Sequence, residues 1–561
     1  MHRVASALRF LARHWIFSAA FVLGLALRVI TMLGFPPAIW LGGDSTSYLR
    51  TSLSLVPGIS RQSGYGLVLF LFRPLHSFLL VTAVQHLAGL TIAVLIYAVA
   101  RRYGLPAWGA TLAALPVLLD AYQIQLEQEI LATTTFGFLV MAALALILWW
   151  RDDRPRRATA AAAALLAMSS LTWPAGLPLL ILFAGYLVVS KAGWRAVATG
   201  LVAGAIPLVM YLAWFDANYH TVAFNESDGV FLWSRTMAFA DCSVIRPPAD
   251  EAVLCPRLPV AQRPDGPTYI WAARSPLKAL PGPKFSPGSN ALAMDFARRA
   301  IAAQPADYAR TVLDGCWLTF SWGRPDSRSA LHSEKYQFAF ATRTWASAVT
   351  NRELAADQGY FTHGGATPTR AVQPFARWMA GYQRFGFLRG TLLGAVLLIG
   401  LAGIGRRLAG GGFRRLLGWS GPALYPWTAA MVMLLVPNVT ASFSIRYVVP
   451  AQPVACLAAG LAFARARRGT TQRPATDAAT GPAAGPATDP GIDPPADSAP
   501  DPEPAPAPGP TPHPEPAPAP GSAPAPAPGP APAAPAPART AGATTPARTA
   551  DAIRPARTAG S

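Results

Sequence analysis

Charged residues are scarce in this chain of 561 residues, because Asp, Glu, Lys and Arg together make up 13% of it while 52% of the residues are hydrophobic. So few charges, combined with several long apolar runs, exclude an ordinary soluble globular protein. The composition is typical of a polytopic membrane protein. We therefore expect an all-α bundle of transmembrane helices.

Acidic residues are the rarer charged group, since 28 Asp and Glu stand against 47 Lys and Arg and give a formal net charge of +19. A nucleic-acid interface would gather the basic residues on one face or helix. Here they fall in short clusters between apolar segments, a pattern that encodes membrane topology. We expect membrane lipid, and no nucleic acid, among the partners.

The recognisable motifs of soluble enzymes are missing as well. The chain contains no P-loop, dinucleotide-binding fingerprint, zinc-ligand spacing or nucleophilic serine elbow. Any chemistry must therefore be sought among the polar residues that lie in or beside the apolar segments.

About ten apolar segments predict transmembrane helices, although two of them are short enough to be a buried or re-entrant pair. They are residues 15–34, 75–100, 105–121, 130–150, 158–173, 176–190, 196–215, 387–404, 422–438 and 445–463. The first segment ends without a small-residue cleavage site, so we expect an uncleaved anchor. Basic clusters after the inward-running segments predict a multi-pass protein of the cell membrane with both termini in the cytoplasm.

Composition divides the chain into four parts. Residues 1–215 form an N-terminal transmembrane module, residues 216–386 an external region, residues 387–468 the C-terminal transmembrane helices, and residues 469–561 a tail rich in Pro and Ala. The tail has too little apolar surface to offset the entropy of ordering, so we expect it to be disordered.

Two cysteines of the external region, Cys242 and Cys255, are close in sequence and have prolines beside and between them. In an oxidising compartment this spacing favours a disulfide that closes a short loop. Two unpaired thiols are the alternative.

A polar stretch, residues 41–50, directly follows the first apolar segment and contains Asp44 and Tyr48 after a Gly-Gly turn. It lies at the depth where a lipid-linked substrate would present its polar head. Asp44 is therefore the candidate catalytic residue. Because Asp is a preferred helix N-cap, the alternative is that Asp44 only caps the helix that follows.

Other ionisable side chains lie within or near the apolar segments, where each costs on the order of 3 kcal/mol to insert and so tends to face a cavity or a partner. They are Arg28, His86, Glu127, Glu129 and Arg446. In the predicted topology all but His86 lie toward the external side, as Asp44 does. His86 is more typical of a hydrogen-bonded structural residue than of a base.

An external carboxylate, further acidic groups and an arginine at the lipid boundary suit sugar transfer from a lipid phosphate. The carboxylate takes a proton from the acceptor hydroxyl, and a guanidinium stabilises the departing phosphate with parallel hydrogen bonds. Glu127 or Glu129 could position the acceptor or hold a divalent cation such as Mg²⁺ or Mn²⁺. The sequence leaves the use of a metal open.

Four short motifs resemble the GT-C superfamily of membrane glycosyltransferases, in particular relatives of the protein mannosyltransferases and the aminoarabinose transferase of actinobacterial type. The motifs are Asp44 with Tyr48, residues 61–66, residues 127–136, and residues 446–453 that begin with Arg446 and Tyr447. The resemblance covers residues 15–468 and implies a polyprenyl-phosphate sugar donor, transfer with inversion, and a glycan, lipid or protein acceptor.

The same resemblance implies roles for individual residues. Asp44 would be the base, Arg446, Arg61 and Tyr447 would contact the donor phosphate, and Glu127 would be the second acidic site. Tyr48, His86 and Arg28 are further polar candidates. The chain departs from the family pattern where Ser63 and Gly66 replace prolines and where Thr133 or Thr134 replaces an acidic residue.

Two other function classes remain open from sequence. A transporter or flippase would also need polar residues at membrane depth, but the membrane part shows no internal repeat of the kind such folds tend to have. A non-catalytic scaffold of the cell envelope would be consistent with the departures at Ser63, Gly66 and Thr133.

Overall fold

The computed structural model describes residues 13–151, 154–323, 336–340, 369–409 and 421–464. The predicted disordered tail, residues 469–561, lies outside the described residues, as does part of the predicted external region. The described residues form helices, with one isolated β-bridge between Ile39 and Glu129 and no strand. The predicted all-α class is thus confirmed for this part of the chain.

Each of the ten predicted spans is helical. They correspond to α1 (Trp15–Gly34), α4 (Phe78–Arg102), α5 (Ala107–Leu119), α7 (Ala132–Trp149), α8 (Arg156–Thr172), α9 (Gly176–Val189), α10 (Trp194–Tyr219), α17 (Gly390–Ala409), α18 (Leu424–Thr440), and the pair α19 (Ile445–Val448) and α20 (Ala451–Ala462). Among the described residues, six helices are long and apolar enough to cross a membrane by length and composition.

The remaining helices lie between these spans. They are α2 (Gly42–Ser54), α3 (Gly64–Phe72), α6 (Ala121–Gln128), α11 (Asp228–Thr236), α12 (Cys242–Ile245), α13 (Gly266–Trp271), α14 (Pro287–Ala303), α15 (Pro305–Thr319) and α16 (Phe375–Gln383). Single 3-10 turns add Arg73–Leu75, Ala252–Leu254, Val260–Gln262 and Pro276–Ala279.

The segment 122–129 lies between the third and fourth predicted spans. It forms helix α6, in which all eight residues are buried. Asp120 caps this helix by accepting hydrogen bonds from the backbone N–H groups of Tyr122 and Gln123, and its other carboxylate oxygen accepts from Leu388 N. The polar side chains of α6 find partners inside the bundle instead of facing water.

Residues 220–323 form a small helical unit, which we call the inter-span domain. Its core packs Trp233, Phe296 and Ile270, all fully buried, from α11, α14 and α13. Glu251 accepts two hydrogen bonds from Arg299 on α14, at 3.0 and 3.2 Å. This region therefore has a core separate from that of the apolar helices.

The structure pairs Cys242 with Cys255 in a disulfide across 13 positions of the chain. In the chain-entropy account, closing a loop of this length stabilises the folded state by about 3 kcal/mol. We predict that Cys255→Ser lowers the unfolding temperature of the inter-span domain, and that wild type shows no labelling of either thiol without reductant. Cys316→Ser, at an unpaired cysteine, is the matched control. Full labelling of both thiols in unreduced wild type would contradict the pairing.

Candidate active site

Asp44 does not cap helix α2. The helix begins at Gly42 with Leu41 at the N-cap position, so Asp44 is its third residue. The loop before the helix is fixed by backbone hydrogen bonds from Ile39 N to Gln128 O at 2.9 Å and from Ile130 N to Ile39 O at 3.1 Å. The cap interpretation of Asp44 is therefore wrong, and its carboxylate is directed to other partners.

Those partners are two arginines that are distant in sequence. Arg61 approaches Asp44 Oδ1 at 2.5 Å, and Arg446 donates to Asp44 Oδ2 at 2.5 Å. The three side chains are 13–16% exposed, so the cluster is shielded but reachable from solvent. Two guanidinium groups around one carboxylate leave a net positive charge, which favours an anionic ligand.

Aromatic side chains hold Arg446 in place. Its guanidinium carbon lies 5.8 Å from the ring centre of Trp173 and 5.0 Å from that of Tyr447. It also donates to the Tyr447 hydroxyl at 3.1 Å, and the Trp173 and Tyr447 rings meet edge to face. These contacts orient the planar guanidinium and limit its side-chain freedom.

The loop that carries Arg61 is fastened to the C-terminal half of α10. Ser63 accepts a hydrogen bond from Gly58 N at 2.7 Å and donates its own N–H to the Tyr211 hydroxyl. Tyr219 donates to Pro57 O at 2.6 Å. Ser63 therefore has a structural role in placing Arg61.

A cavity of about 430 Å³ opens beside the cluster and is lined by Arg61, Arg446 and Tyr447. One wall is apolar and comes from the membrane helices, with Trp173, Leu177, Pro178, Val436 and Pro437. Another wall comes from the inter-span domain. An elongated molecule with an apolar chain and an anionic group would match this combination of surfaces.

Tyr48 lines the same cavity, and its ring meets that of Tyr65 edge to face. Burial raises the pKa of Tyr48 to about 12, so the phenol keeps its proton at working pH and can donate a hydrogen bond. Tyr336 is buried nearby. Burial raises its pKa, with the charge of Arg446 opposing this shift and the charges of Asp44 and Glu129 adding to it.

Glu127 belongs to a second, fully buried cluster. Arg28 binds both of its carboxylate oxygens, at 2.7 and 2.8 Å, while His86 Nδ1 lies 2.9 Å from Oε2 and Gln123 donates to Oε1 at 2.9 Å. Although burial alone raises the pKa of the Glu127 carboxyl, the charge of Arg28 and the hydrogen bond with His86 lower it overall. Glu127 is thus held as a carboxylate with all its acceptor positions in use.

The hydrogen-bond donors of Arg28 are also all occupied. Besides Glu127, its guanidinium donates to the backbone carbonyls of Gly24, Val117 and Leu118, which accounts for all five N–H donors. The close packing depends on Gly89, where a Cβ atom would come within 1.8 Å of Glu127 Oε1. The structure therefore brings Arg28, His86 and Glu127 together, but as an internal ion-pair network apart from Asp44.

The side chains around Asp44 are poor ligands for a divalent cation. Both carboxylate oxygens face guanidinium groups, whose positive charge would repel a metal ion. Glu129 accepts a hydrogen bond from Gln125 at 2.9 Å. Within the part of the chain that the structure describes, no group of three or more His, Cys, Asp or Glu side chains could hold a metal.

Sequence reasoning did not single out Trp173, Tyr336 or Asp228, although each lies at or near the cavity. Trp173 precedes Pro174 in the turn between two apolar segments, and Asp228 closes an acidic Asn-Glu-Ser-Asp stretch just beyond a predicted span. The turn and the acidic stretch are the sequence signals that could have pointed to Trp173 and Asp228.

No protein-family model and no curated protein matches this chain. Among solved structures, the Archaeoglobus fulgidus oligosaccharyltransferase tethered with an acceptor peptide aligns with a TM-score of 0.39 and 12% identity, over 81% of this chain and 50% of that one. AglB from the same organism, in complex with an inhibitory peptide and a dolichol-phosphate, gives a TM-score of 0.37 at 13% identity, with the same coverage of 81% and 50%.

ArnT from Cupriavidus metallidurans bound to undecaprenyl phosphate gives a TM-score of 0.33 at 15% identity, over 79% of this chain and 78% of that one. These proteins are GT-C glycosyltransferases, the superfamily that the sequence motifs resemble. This chain spans about half the length of the oligosaccharyltransferase structures. With identities of at most 15% and TM-scores below 0.4, the likeness does not decide the activity.

Proposed function

We propose that this protein is a membrane glycosyltransferase that moves a sugar from a polyprenyl-phosphate donor to a hydroxyl of a cell-envelope acceptor on the external face of the cell membrane. The observation that carries the proposal is the Asp44 carboxylate held between Arg61 and Arg446 beside a cavity with an apolar membrane wall. The site combines a proton acceptor, an anion-binding pair and a surface for a lipid chain.

The reaction follows from these groups. The acceptor oxygen attacks the anomeric carbon while Asp44 accepts the hydroxyl proton, and the bond between that carbon and the phosphate oxygen breaks. The electron pair of that bond stays on the phosphate, where the guanidinium groups stabilise the developing charge. Attack opposite to the leaving group inverts the anomeric centre. Because no metal site fits the residues around Asp44, we assign no step to a cation.

The ion pairs of Asp44 imply an exchange of partners when the donor binds. In the absence of donor, the arginines bind the carboxylate, and its oxygens are not available to an acceptor hydroxyl. A donor phosphate offers the same guanidinium groups an alternative acceptor. Binding of the donor would therefore release Asp44 for proton transfer, so we expect donor to bind before acceptor.

We predict that Arg446→Lys weakens binding of undecaprenyl phosphate about tenfold or more. Lysine keeps the charge but lacks the planar fork, and losing one hydrogen bond to a charged group costs about 1.5–3 kcal/mol. The measurement is a titration of the purified full chain in lipid nanodiscs with undecaprenyl phosphate. Arg406→Lys, in the last turn of α17, is the matched control. Equal affinities for wild type and Arg446→Lys would refute the phosphate assignment.

A further inference from the structure

The wall that the inter-span domain contributes to the cavity contains an acidic residue with no role in the reaction described above. Asp228 is the first residue of α11, and it lines the cavity together with Asn225 and the apolar side chains Phe231, Leu232 and Met294. This wall therefore offers a carboxylate and an amide beside an apolar surface.

The position of Asp228 is fixed by contacts on both sides. Toward the membrane part, Glu226 N donates to Ile59 O at 2.7 Å and the Ser227 hydroxyl donates to Ser60 O at 3.1 Å. These bonds attach the residues before Asp228 to those before Arg61. The position of Asp228 is therefore coupled to that of Arg61 on the other side of the cavity.

Within the inter-span domain, α11 lies directly against α14. Asn290 accepts hydrogen bonds from Gly229 N at 2.8 Å and from Val230 N at 3.3 Å, and so occupies the N–H groups at the start of α11. A Cβ atom at residue 229 would come within 2.1 Å of the Asn290 carbonyl oxygen. Glycine is required at this crossing, and it brings Asp228 to a defined place at the cavity.

The electrostatic setting of Asp228 differs from that of Asp44. No ion pair to Asp228 occurs among the described residues. Burial raises the pKa of its carboxyl overall, although a hydrogen bond with Asn225 lowers it. The Asp228 side chain is exposed at the cavity wall, so its carboxylate oxygens can accept hydrogen bonds from hydroxyl groups of a ligand. A side chain of this kind in a cleft is a functional-site candidate.

We infer that Asp228, held by its hydrogen bond with Asn225, binds hydroxyl groups of a carbohydrate acceptor, an assignment that rests on the proposed glycosyltransferase function. The apolar wall from α9 and α18 faces the lipid chain, and the two arginines bind the phosphate, so the inter-span wall is left for the acceptor. A sugar ring has polar edges and an apolar face, which match the Asp228–Asn225 pair and the neighbouring Phe231 and Met294.

The test compares wild type with Asp228→Asn in the full chain in nanodiscs. Undecaprenyl phosphate is the probe for binding. For transfer, the donors are radiolabelled polyprenyl-phosphate mannose and polyprenyl-phosphate glucose. The two acceptors are mannose oligosaccharides and a peptide rich in Ser and Thr. We expect the KM for the oligosaccharide to rise about tenfold or more in the variant. The affinity for undecaprenyl phosphate and the unfolding temperature should stay unchanged.

Asp295→Asn is the matched control, because Asp295 lies next to Met294 in sequence but is 58% exposed and pairs with Arg298 at 3.8 Å. An unchanged KM in Asp228→Asn overturns the inference, and so does weaker binding of undecaprenyl phosphate, which would place Asp228 on the donor side. Transfer by wild type to the peptide alone, or to neither acceptor, overturns the carbohydrate assignment. If wild type fails to bind undecaprenyl phosphate, the proposed function itself fails.

Discussion

Replacing Asp44 with Asn should reduce sugar transfer by about 10²–10⁴-fold while the protein binds undecaprenyl phosphate at least as tightly as wild type does. The loss is the usual contribution of a general base, since an amide oxygen does not accept the acceptor proton. The gain in binding has a separate cause. Asp44 occupies guanidinium groups of Arg61 and Arg446, and its neutral substitute competes less well with phosphate for them.

The opposite directions of these two effects distinguish catalysis from structure. If Asp44 only held the two arginines in place, Asp44→Asn would disorder them and weaken both binding and transfer. Asp307→Asn is a matched control, because Asp307 lies in the first turn of α15 and accepts a hydrogen bond from Gln304 at an exposed position. Transfer by Asp44→Asn at a rate close to that of wild type would exclude Asp44 as the base, whereas no transfer by wild type itself would favour the transporter or scaffold alternatives.

The membrane helices could be predicted from sequence because their signal is local. Long apolar runs ended by basic clusters give each span independently, and every predicted span is a helix in the structure. Helix α6 was not predicted as an element of its own, because its Gln and Glu residues interrupt the apolar runs and suggest contact with water. Their partners, such as Arg28 on α1 and Gln383 on α16, are far away in sequence, and no periodic pattern marks a helix that is buried on all sides.

The candidate site was partly predictable for a related reason. Asp44, Arg61 and Arg446 could be singled out as polar residues at the ends of apolar segments, but Asp44 and Arg446 are 402 positions apart and their direct contact is a result of the fold. The family resemblance also implied Glu127 as a second acidic site on the same side of the membrane as Asp44. Sequence position gives the depth of a residue in the membrane, but it does not give the direction of the side chain, and Glu127 points to Arg28 instead.

The predictions for Glu127 therefore concern stability. We expect Arg28→Met to lower the free energy of unfolding by about 3–5 kcal/mol, because removing one partner of a buried pair leaves an uncompensated charge. Arg28 also occupies three backbone carbonyls that would lose their donor. The measurement is denaturant or thermal unfolding of the purified chain in detergent. Arg298→Met is the control, because the Arg298 side chain is 71% exposed and surface pairs contribute at most about 1 kcal/mol.

The double variant Arg28→Met with Glu127→Leu decides between the structural and catalytic interpretations of Glu127. Replacing both members of a buried ion pair with apolar residues removes the uncompensated charge, so part of the stability lost in Arg28→Met should return even though three backbone carbonyls still lack their donor. If Glu127 serves only the internal network, sugar transfer should return together with stability. A stable double variant without transfer would show that Glu127 acts in the reaction, and the second acidic site implied by the family resemblance would then have to reach the substrate in a different conformation.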